Sequence, residues 1–544
     1  MNKQKLSFLL AALAALAIVL VGALLYAPSL AYQLTFLDDN AWINDYHWYL
    51  KNPSNISVIF TQPDLITGIF YRPILNLSFM ANAIWGGTSL WVYHLTNILI
   101  HVFNGYLVFI LFRKLKYSFD LSLLCALIFI VHPVLTSAVA WIPGRTDSLL
   151  GTFVLISFIC FLNFIETKNI LSLAGHLIFF LLGCLTKETA IVLPVICFLY
   201  IYLISQGKGS SKRIYFLSAA GVTLAWLGVR SLILSKSQHT DLWLALKSVV
   251  ENSPGIISYL GKIYLPVNLS VLPILKDTTL VYGLITIALL LTVIVLSKVK
   301  RIRFIIFGIC WFVLFLLPSM VFSFLNHEYR LYLPILGCFI LTLEMDWVKN
   351  FEHDKKGGWI IAAIVIALLF FSSVHHSQQY KDRFTFWEDA VKTSPHSPLA
   401  HRNLGAMYHL EKILDKAEEQ YKQALALNPY EQMVHNNLGL IYVSRQQLQA
   451  GEAEYKQEIA INPTYDNVYY NLGLLYWQEG RLDEVPVQWK KTIELNPKYI
   501  DAYKQLAVFY YNQKNLKETA YYVDQLQHRG IEVPHQILQG LGIH

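Results

Sequence analysis

Long apolar runs, interrupted by short polar loops, fill the first two thirds of the chain. "MNKQK" is followed by an almost unbroken apolar stretch from Leu6 to Ala31. A cleaved signal peptide has an apolar core of about 7–15 residues, whereas a spanning helix needs about 20. The stretch therefore reads as a retained anchor, although "SLAYQ" has the small residues of a cleavage site. Further runs lie near 90–112, 119–133, 148–165, 170–185, 189–206, 214–235, 278–297, 302–325, 329–346 and 358–374, giving eleven expected spans in all. The segment 255–273, "GIISYLGKIYLPVNLSVLP", is apolar but broken by Pro and Gly, and reads as interfacial or re-entrant.

Beyond residue 376 the pattern changes to that of a soluble chain with an internal repeat. "NLG" recurs at Asn403, Asn437 and Asn471, and "NP" at Asn428, Asn462 and Asn496, both with a spacing of 34. A 34-residue period carrying Leu-Gly, an aromatic and a Pro is the tetratricopeptide (TPR) signature. Around Pro429 it includes Leu404, Gly405, Tyr408, Ala417, Tyr421 and Ala424. Four helical pairs are expected, preceded by a half-repeat, "RFTFWEDAVKTSP", that ends at Pro395. The last unit drifts, with Ala507 in place of Gly and no Pro at 531, as a capping repeat does. The expected class is all-α: a polytopic membrane domain over 1–376, then a TPR α-solenoid over 377–544.

Composition agrees. Charged residues make up 15% of the 544, against about 25% in soluble proteins, and mean hydropathy is +0.43. The net charge of +7 does not point to nucleic acid, because the cations mark topology. Cytoplasmic loops are enriched in Lys and Arg. With the basic N-terminus inside, the inner loops are "RKLK" (113–116), "ETKN" (166–169), "QGKGSSKR" (206–213), "SKVKRIR" (297–303) and "VKNFEHDKKGG" (348–358), and four of these five are clearly basic. An odd number of spans then places the first loop and the repeats on the outer side. Cys125, Cys160, Cys184, Cys197, Cys310 and Cys338 all lie in apolar segments without metal or CxxC spacing, and read as small buried hydrophobes.

The outer loops repeat a theme of cation beside carboxylate. The first holds Asp38, Asp39, Asp45, Asp64 and Arg72; the second, "HPVLTSAVAWIPGRTD", holds His132, Arg145 and Asp147. "TKET" supplies Lys187 and Glu188, and "NHEYR" supplies Glu328 and Arg330. Each pair taken alone reads as a structural bridge, but several converging on one face read as a site for an anion such as a lipid phosphate. In the second span His94, Asn97, His101 and Asn104 form a polar stripe at steps of three and four. The stripe either bonds helices together or lines a substrate cavity. Asn403, Asn437 and Asn471, continued by Gln505, offer amides for an acceptor peptide backbone along the solenoid groove, or reflect helix packing. Tyr408, Tyr442, Tyr476 and Tyr510 read as solenoid core.

The stretches "FLDDNAWINDY", "YRPILNLSFMANAIWGGTSLWVYHLTNILIHVFNGYLVF", "HPVLTSAVAWIPGRTDSLLGTF", "CLTKETAIVLP" and "EYRLYLPILG", followed by TPRs, resemble the transmembrane and tetratricopeptide-repeat protein O-mannosyltransferases. These belong to the GT-C superfamily of polyprenyl-phosphate-sugar-dependent glycosyltransferases. The resemblance spans nearly the whole chain. It implies a GT-C-like membrane domain, a polyprenyl-phosphate-linked sugar donor, and transfer on the non-cytoplasmic face. It also implies an acidic pair in the first outer loop as the catalytic element, matching Asp38 and Asp39.

On this reading the chain is an inverting enzyme that moves one sugar, mannose by family, to Ser or Thr hydroxyls of protein acceptors. Asp38 or Asp39 is the base, with either residue open for the role. Arg72, Arg145, Lys187, Glu188, Glu328, Arg330, His94, His101 and His132 are candidates for holding the lipid phosphate and sugar. Metal dependence stays open; Asp38 and Asp39 would be the ligands of any Mg or Mn ion. The outer compartment is expected to be a bacterial periplasm or extracytoplasmic space, with the endoplasmic reticulum lumen as the alternative. Two other functions remain: a GT-C enzyme with a lipid or glycan acceptor, and a non-enzymatic scaffold whose TPRs recruit envelope proteins.

Overall fold

A computed structural model describes residues 3–205, 211–234, 242–298, 301–321, 327–346, 348 and 355–542, and is helical throughout, with no strand among those residues. It divides into two compact units, Met1–Pro395 and His396–His544. The expected inner loops 206–213, 297–303 and 348–358 fall in part outside the described residues.

In the first unit every expected span is matched by an apolar helix, but not all are long. Seven helices are long and apolar enough to cross a membrane: Leu9–Ala31, Leu90–Lys114, Ile142–Thr167, Glu188–Ser205, Arg213–Leu234, Ile302–Met320 and Gly357–Gln378. Phe119–Val131 and Pro133–Ala140 form an eighth if counted together, bent by 54° where Pro133 interrupts the helix. Ile170–Cys184, Val281–Leu296 and Pro334–Leu343 are shorter than a full span. The segment expected to be interfacial or re-entrant forms a helix, Pro254–Tyr264, followed by irregular chain.

Helices in lipid pack closely where side chains are small, because no hydrophobic effect drives them together. Ile302–Leu316 crosses Pro334–Leu343 at Gly308 and Gly337, where a Cβ on Gly337 would stand 2.4 Å from the Gly308 carbonyl oxygen. The polar stripe of the second span serves the same end by hydrogen bonding. The Asn97 amide donates to the carbonyls of Val139, Trp141 and Ile142, each at 3.2 Å. Asn104 donates to the Ser148 carbonyl at 2.7 Å and to the Tyr332 hydroxyl at 3.0 Å, and accepts from Thr152 at 2.8 Å. His101 bonds Tyr332 Oη at 2.8 Å and the Ile130 carbonyl at 3.2 Å. The stripe thus satisfies backbone carbonyls freed at the bent helix and its connection to the next span.

The Arg383–Thr393 helix, expected with the solenoid, lies in the first unit. Phe386 and Trp387 are fully buried there, Thr393 Oγ1 meets Ser270 Oγ at 2.7 Å, and Ser394 donates to the Leu272 carbonyl at 2.8 Å.

The second unit contains the four expected pairs: Pro398–Leu410 with Leu414–Leu427, Val434–Ser444 with Leu448–Ile461, Asp466–Glu479 with Val485–Leu495, and Ile500–Asn512 with Leu516–Gln527. The repeated Gly is explained by contact: a Cβ on Gly405, Gly439 or Gly473 would come within 2.8 Å of the ring of Tyr421, Tyr455 or Trp489. Tyr476 is buried as expected, but Tyr408, Tyr442 and Tyr510 are only half-buried. The hydroxyls of Tyr442 and Tyr476 donate to Glu418 and Glu452 of the preceding repeat, at 3.2 and 3.0 Å.

Candidate functional site

The acidic loop owes its shape to Asp39. Asp39 Oδ2 accepts from Thr35 N at 2.6 Å and Thr35 Oγ1 at 2.8 Å, and its Oδ1 accepts from Asn40 N at 2.9 Å. Asp39 is 1% exposed, and burial lifts its pKa to about 6 against those hydrogen bonds. The tight turn puts Asp38 in the left-handed region, at φ 64°, a conformation Asp tolerates better than most residues. The loop is pinned on two sides: Trp141 Nε1 donates to the Leu37 carbonyl at 3.1 Å and Trp387 Nε1 to the Thr35 carbonyl at 2.8 Å.

Asp38 opens into a cavity of about 460 Å³. Arg72, Asp147, Lys187, Glu188 and Arg330 share its walls, so four of the expected outer loops meet there. Arg72 lies 3.8 Å above the Phe70 ring and binds Glu188 through Nη2 at 2.9 Å and Nε at 3.2 Å. Lys187 Nζ bridges both oxygens of Asp147, at 2.8 and 2.7 Å. Asp64, on the rim, folds its own loop by accepting from Thr67 N, Thr67 Oγ1 and Phe70 N at 3.1, 2.7 and 3.0 Å. Protein packed around the Asp38 carboxyl group raises its pKa, and the negative charge of Asp64 raises it further. Burial pulls the Lys187 ammonium below its usual range, opposed by the charge of Asp147.

The remaining expected residues lie elsewhere, for identifiable reasons. Arg145 is 0% exposed and is not part of the cavity wall. It donates to Asn97 Oδ1 at 2.7 Å, the Tyr93 carbonyl at 2.8 Å and the Ser78 carbonyl at 3.2 Å, and stacks 4.5 Å from the Phe79 centroid. Gly144 beside it allows this close turn, since a Cβ there would lie 2.1 Å from the Ser137 carbonyl. Glu328 is buried against Lys262 at 2.7 Å, Ser270 N at 3.1 Å and His376 at 3.1 Å. Despite burial, Lys262 brings the Glu328 pKa down to about 2. His132 bonds the Ile263 carbonyl at 2.8 Å, His101 belongs to the helix-bonding stripe, and His94 is buried edge-on to the Tyr32 ring at 6.2 Å. Arg145, Glu328, His94, His101 and His132 therefore lie away from the cavity lining, and all but His94 bond the scaffold through their side chains.

In the solenoid the three repeat asparagines are half-buried on the first helix of each pair. Asn471 donates to Asn436 Oδ1 at 2.8 Å, Asn436 donates to Asn437 Oδ1 at 3.2 Å, and Arg402 Nε reaches Asn403 Oδ1 at 3.4 Å.

Sequence reasoning missed Arg230, Trp226 and Tyr329, which also line the cavity. An Arg inside an apolar run, "WLGVRSLIL", was the available signal for the first. Among the described residues no group of three or more His, Cys, Asp or Glu is placed to hold a metal ion. The donor set fits a metal poorly: Asp39 is saturated by N–H and O–H donors, while Asp147 and Glu188 already carry cations.

Comparison with known proteins gives three results. The TPR repeat family matches residues 439–480. Curated relatives include protein O-mannosyl-transferase tmtc2 of Xenopus laevis, 38% identical over 99 residues covering 18% of this chain and 12% of that one. Protein O-mannosyl-transferase TMTC3 of Mus musculus is 24% identical over 405 residues, covering 65% of this chain and 44% of that one. Protein O-mannosyl-transferase F38B6.6 of Caenorhabditis elegans is 25% identical over 374 residues, covering 65% and 53%. The chain thus spans about half the length of these relatives or less. Among solved structures, MamA (24% identity, TM-score 0.25, covering 26% of this chain and 84% of that one) and PilW (22%, 0.27, covering 33% and 84%) are similar. Over its apolar helices and repeats this chain is similar to the transmembrane, TPR-bearing protein O-mannosyl-transferases.

Proposed function

We propose that the chain is a membrane glycosyltransferase that moves mannose from a polyprenyl-phosphate donor to Ser or Thr hydroxyls of proteins on the non-cytoplasmic face. The observation that carries this reading is the shared cavity: Asp38 faces a chamber that also holds Arg72, Lys187 and Arg330. A carboxylate and several cations around one space suit a reaction that needs a base at one end and anion binding at the other.

In the proposed step the acceptor hydroxyl gives its proton to the Asp38 carboxylate as its oxygen bonds to the anomeric carbon. The bond from that carbon to the phosphate oxygen breaks, and the electron pair leaves with the lipid phosphate. Attack opposite the leaving group inverts the anomeric centre, through oxocarbenium character as in glycoside hydrolysis. Asp39 serves the loop: by holding Thr35 and Asn40 it aims Asp38. Arg72 and Lys187 are kept in place by Glu188 and Asp147 and contribute positive charge to the leaving phosphate. The half-buried asparagines of the repeats present amides to the backbone of an acceptor peptide.

Purified chain, a polyprenyl-phosphate-linked radiolabelled mannose and a Ser/Thr-rich peptide test the reading together. Label is expected in the peptide, and label in added lipid or glycan but never in peptide favours the other acceptor classes. A chain that neither transfers nor hydrolyses the donor, yet captures outer-compartment proteins through residues 396–544, is a scaffold.

A further inference from the structure

A second cavity, of about 650 Å³, opens at the other end of the membrane unit. Leu10 forms part of its wall, whereas Asp38 follows the far end of the same helix, Leu9–Ala31. At about 1.5 Å per residue that helix separates the two cavities by about one hydrocarbon thickness. The first two spans meet closely at Gly105, where a Cβ would stand 2.5 Å from Ile130 Cδ1 and 3.2 Å from Ile18 Cγ2. Beyond that contact the second span carries large rings, and a gap is left between it and the start of the first helix. Tyr106 stacks on Phe109 at 6.3 Å and Phe109 meets Phe119 edge-on at 5.4 Å, so the floor of the gap is aromatic. Its rim is cationic: Arg113, Lys114 and Lys116 share it with a single carboxylate, Glu166. Lys116 binds Glu166 at 2.7 Å and Lys114 stands 3.9 Å from it. Arg113 donates to the Tyr117 carbonyl at 2.5 Å, and no carboxylate among the described residues lies within salt-bridge distance of it.

Cations at this end also mark topology, but a topology signal asks only for positive charge near the bilayer. It does not place that charge over a cavity with an apolar floor. A basic pocket between spanning helices suits an anionic lipid head group. Three cations against one carboxylate favour a net negative head over a zwitterion, and the planar fork of Arg113 suits phosphate oxygens. The apolar side continues away from the rim along both helices. Leu13 and Leu20 follow Leu10 on the first, 51% and 59% exposed. Leu99 and Phe103 precede Tyr106 and Ile110 on the second, 59% and 46% exposed. Spacings of three, four and seven keep each row on one helix face, so two apolar tracks leave the cavity, one for each chain of a diacyl lipid. A free phosphate would leave both tracks unused. We propose that this cavity binds an anionic glycerophospholipid from the leaflet remote from Asp38. Its phosphate rests on Arg113 and Lys114, its chains follow the two rows, and it braces the first helix against the second. The inference goes beyond the sugar-transfer reading and does not depend on it.

The test uses full-length chain in detergent and a phosphatidylglycerol with a photoreactive group on one acyl chain. Label is expected on peptides from 9–20 and 99–110 ahead of the other apolar helices. Unlabelled phosphatidylglycerol should compete, but phosphatidylcholine, polyprenyl phosphate and inorganic phosphate should not. Arg113→Gln with Lys114→Gln is expected to lower labelling of these peptides by at least about tenfold. Lys168→Gln, which removes a cation close to Glu166 in sequence but outside the cavity wall, is expected to leave it unchanged. Labelling of the double variant equal to wild type, or an equal loss with Lys168→Gln, overturns the site. So does label spread evenly over the apolar helices, or equal competition by any of the other three compounds. Mapping the label in wild type decides the matter even if the double variant fails to insert.

Discussion

Trp387 Nε1 donates to the Thr35 carbonyl at 2.8 Å, and the N–H and hydroxyl of the same Thr35 hold Asp39 at 2.6 and 2.8 Å. The helix that leads to the repeats is thereby tied to the loop that aims Asp38. Trp387→Phe keeps the buried ring and removes only the donor. It is expected to lower kcat by about tenfold, equivalent to about 1.4 kcal/mol, with KM for the donor unchanged. Steady-state kinetics check this; a rise in KM alone contradicts it. Trp387→Ala adds a cavity worth about 3–5 kcal/mol and should impair folding outright.

The Asp38–Asp64 pair sets a pH dependence. Burial and, after it, the charge of Asp64 raise the Asp38 pKa and place the acid limb of kcat/KM above that of an ordinary aspartate. Asp64→Asn removes the charge but retains an oxygen for Thr67 and Phe70. The Asp38 pKa should then fall and the acid limb move to lower pH. A pH–rate profile showing no movement, or movement upward, rejects Asp38 as the titrating base.

Arg72 and Arg145 are both Arg at helix starts, yet only one should affect catalysis. Arg145 donates to Asn97, Tyr93 and Ser78 inside the scaffold. Arg145→Met leaves these acceptors unpaired, at about 1.5–3 kcal/mol for each charged hydrogen bond, and should lower the unfolding temperature sharply. Arg72→Gln, which leaves Glu188 without its cation, should lower the unfolding temperature less than Arg145→Met does and raise KM for the donor. Thermal unfolding in detergent alongside kinetics separates the two.

Lys262 and Glu328 form a buried pair, 5% and 1% exposed at the side chain. Removing one partner of such a pair costs about 3–5 kcal/mol, whereas removing both charges is often neutral. Lys262→Met should therefore destabilise strongly, and Lys262→Met with Glu328→Gln should recover most of the loss. A double variant as unstable as the single one contradicts the pairing. Because the Glu328 pKa is depressed, its contribution is present above about pH 4.5 and fades as pH falls towards about 2.

Much of this was legible in the sequence, and what was not follows a physical pattern. Apolar run length marked the seven helices long enough to span, because lipid demands continuous hydrophobicity, but it counted Ile170–Cys184, Val281–Leu296 and Pro334–Leu343 as spans too. It could not show that Pro133 bends one helix by 54° or that Pro334–Leu343 is short. The 34-residue period gave the repeats because each Gly must admit a neighbouring ring. Charge beside carboxylate marked the cavity at Arg72, Lys187 and Arg330 but marked Arg145 and Glu328 equally, since a buried bridge and a binding site use the same residue types. Only the fold separates them. Asp38 and Asp39, adjacent in sequence, have different surroundings because one turn at φ 64° sends the first to the cavity and the second to the protein interior.

The central claim is sugar transfer by way of Asp38, and mass spectrometry of Ser/Thr-linked hexose on outer-compartment proteins tests it most directly. Cells making the wild-type chain should carry the modification; cells lacking the chain should not. Cells making Asp38→Asn at equal membrane abundance should show it reduced by about 10²- to 10⁴-fold, the contribution of a positioned base. The same modified sites at the same occupancy with Asp38→Asn would contradict the account.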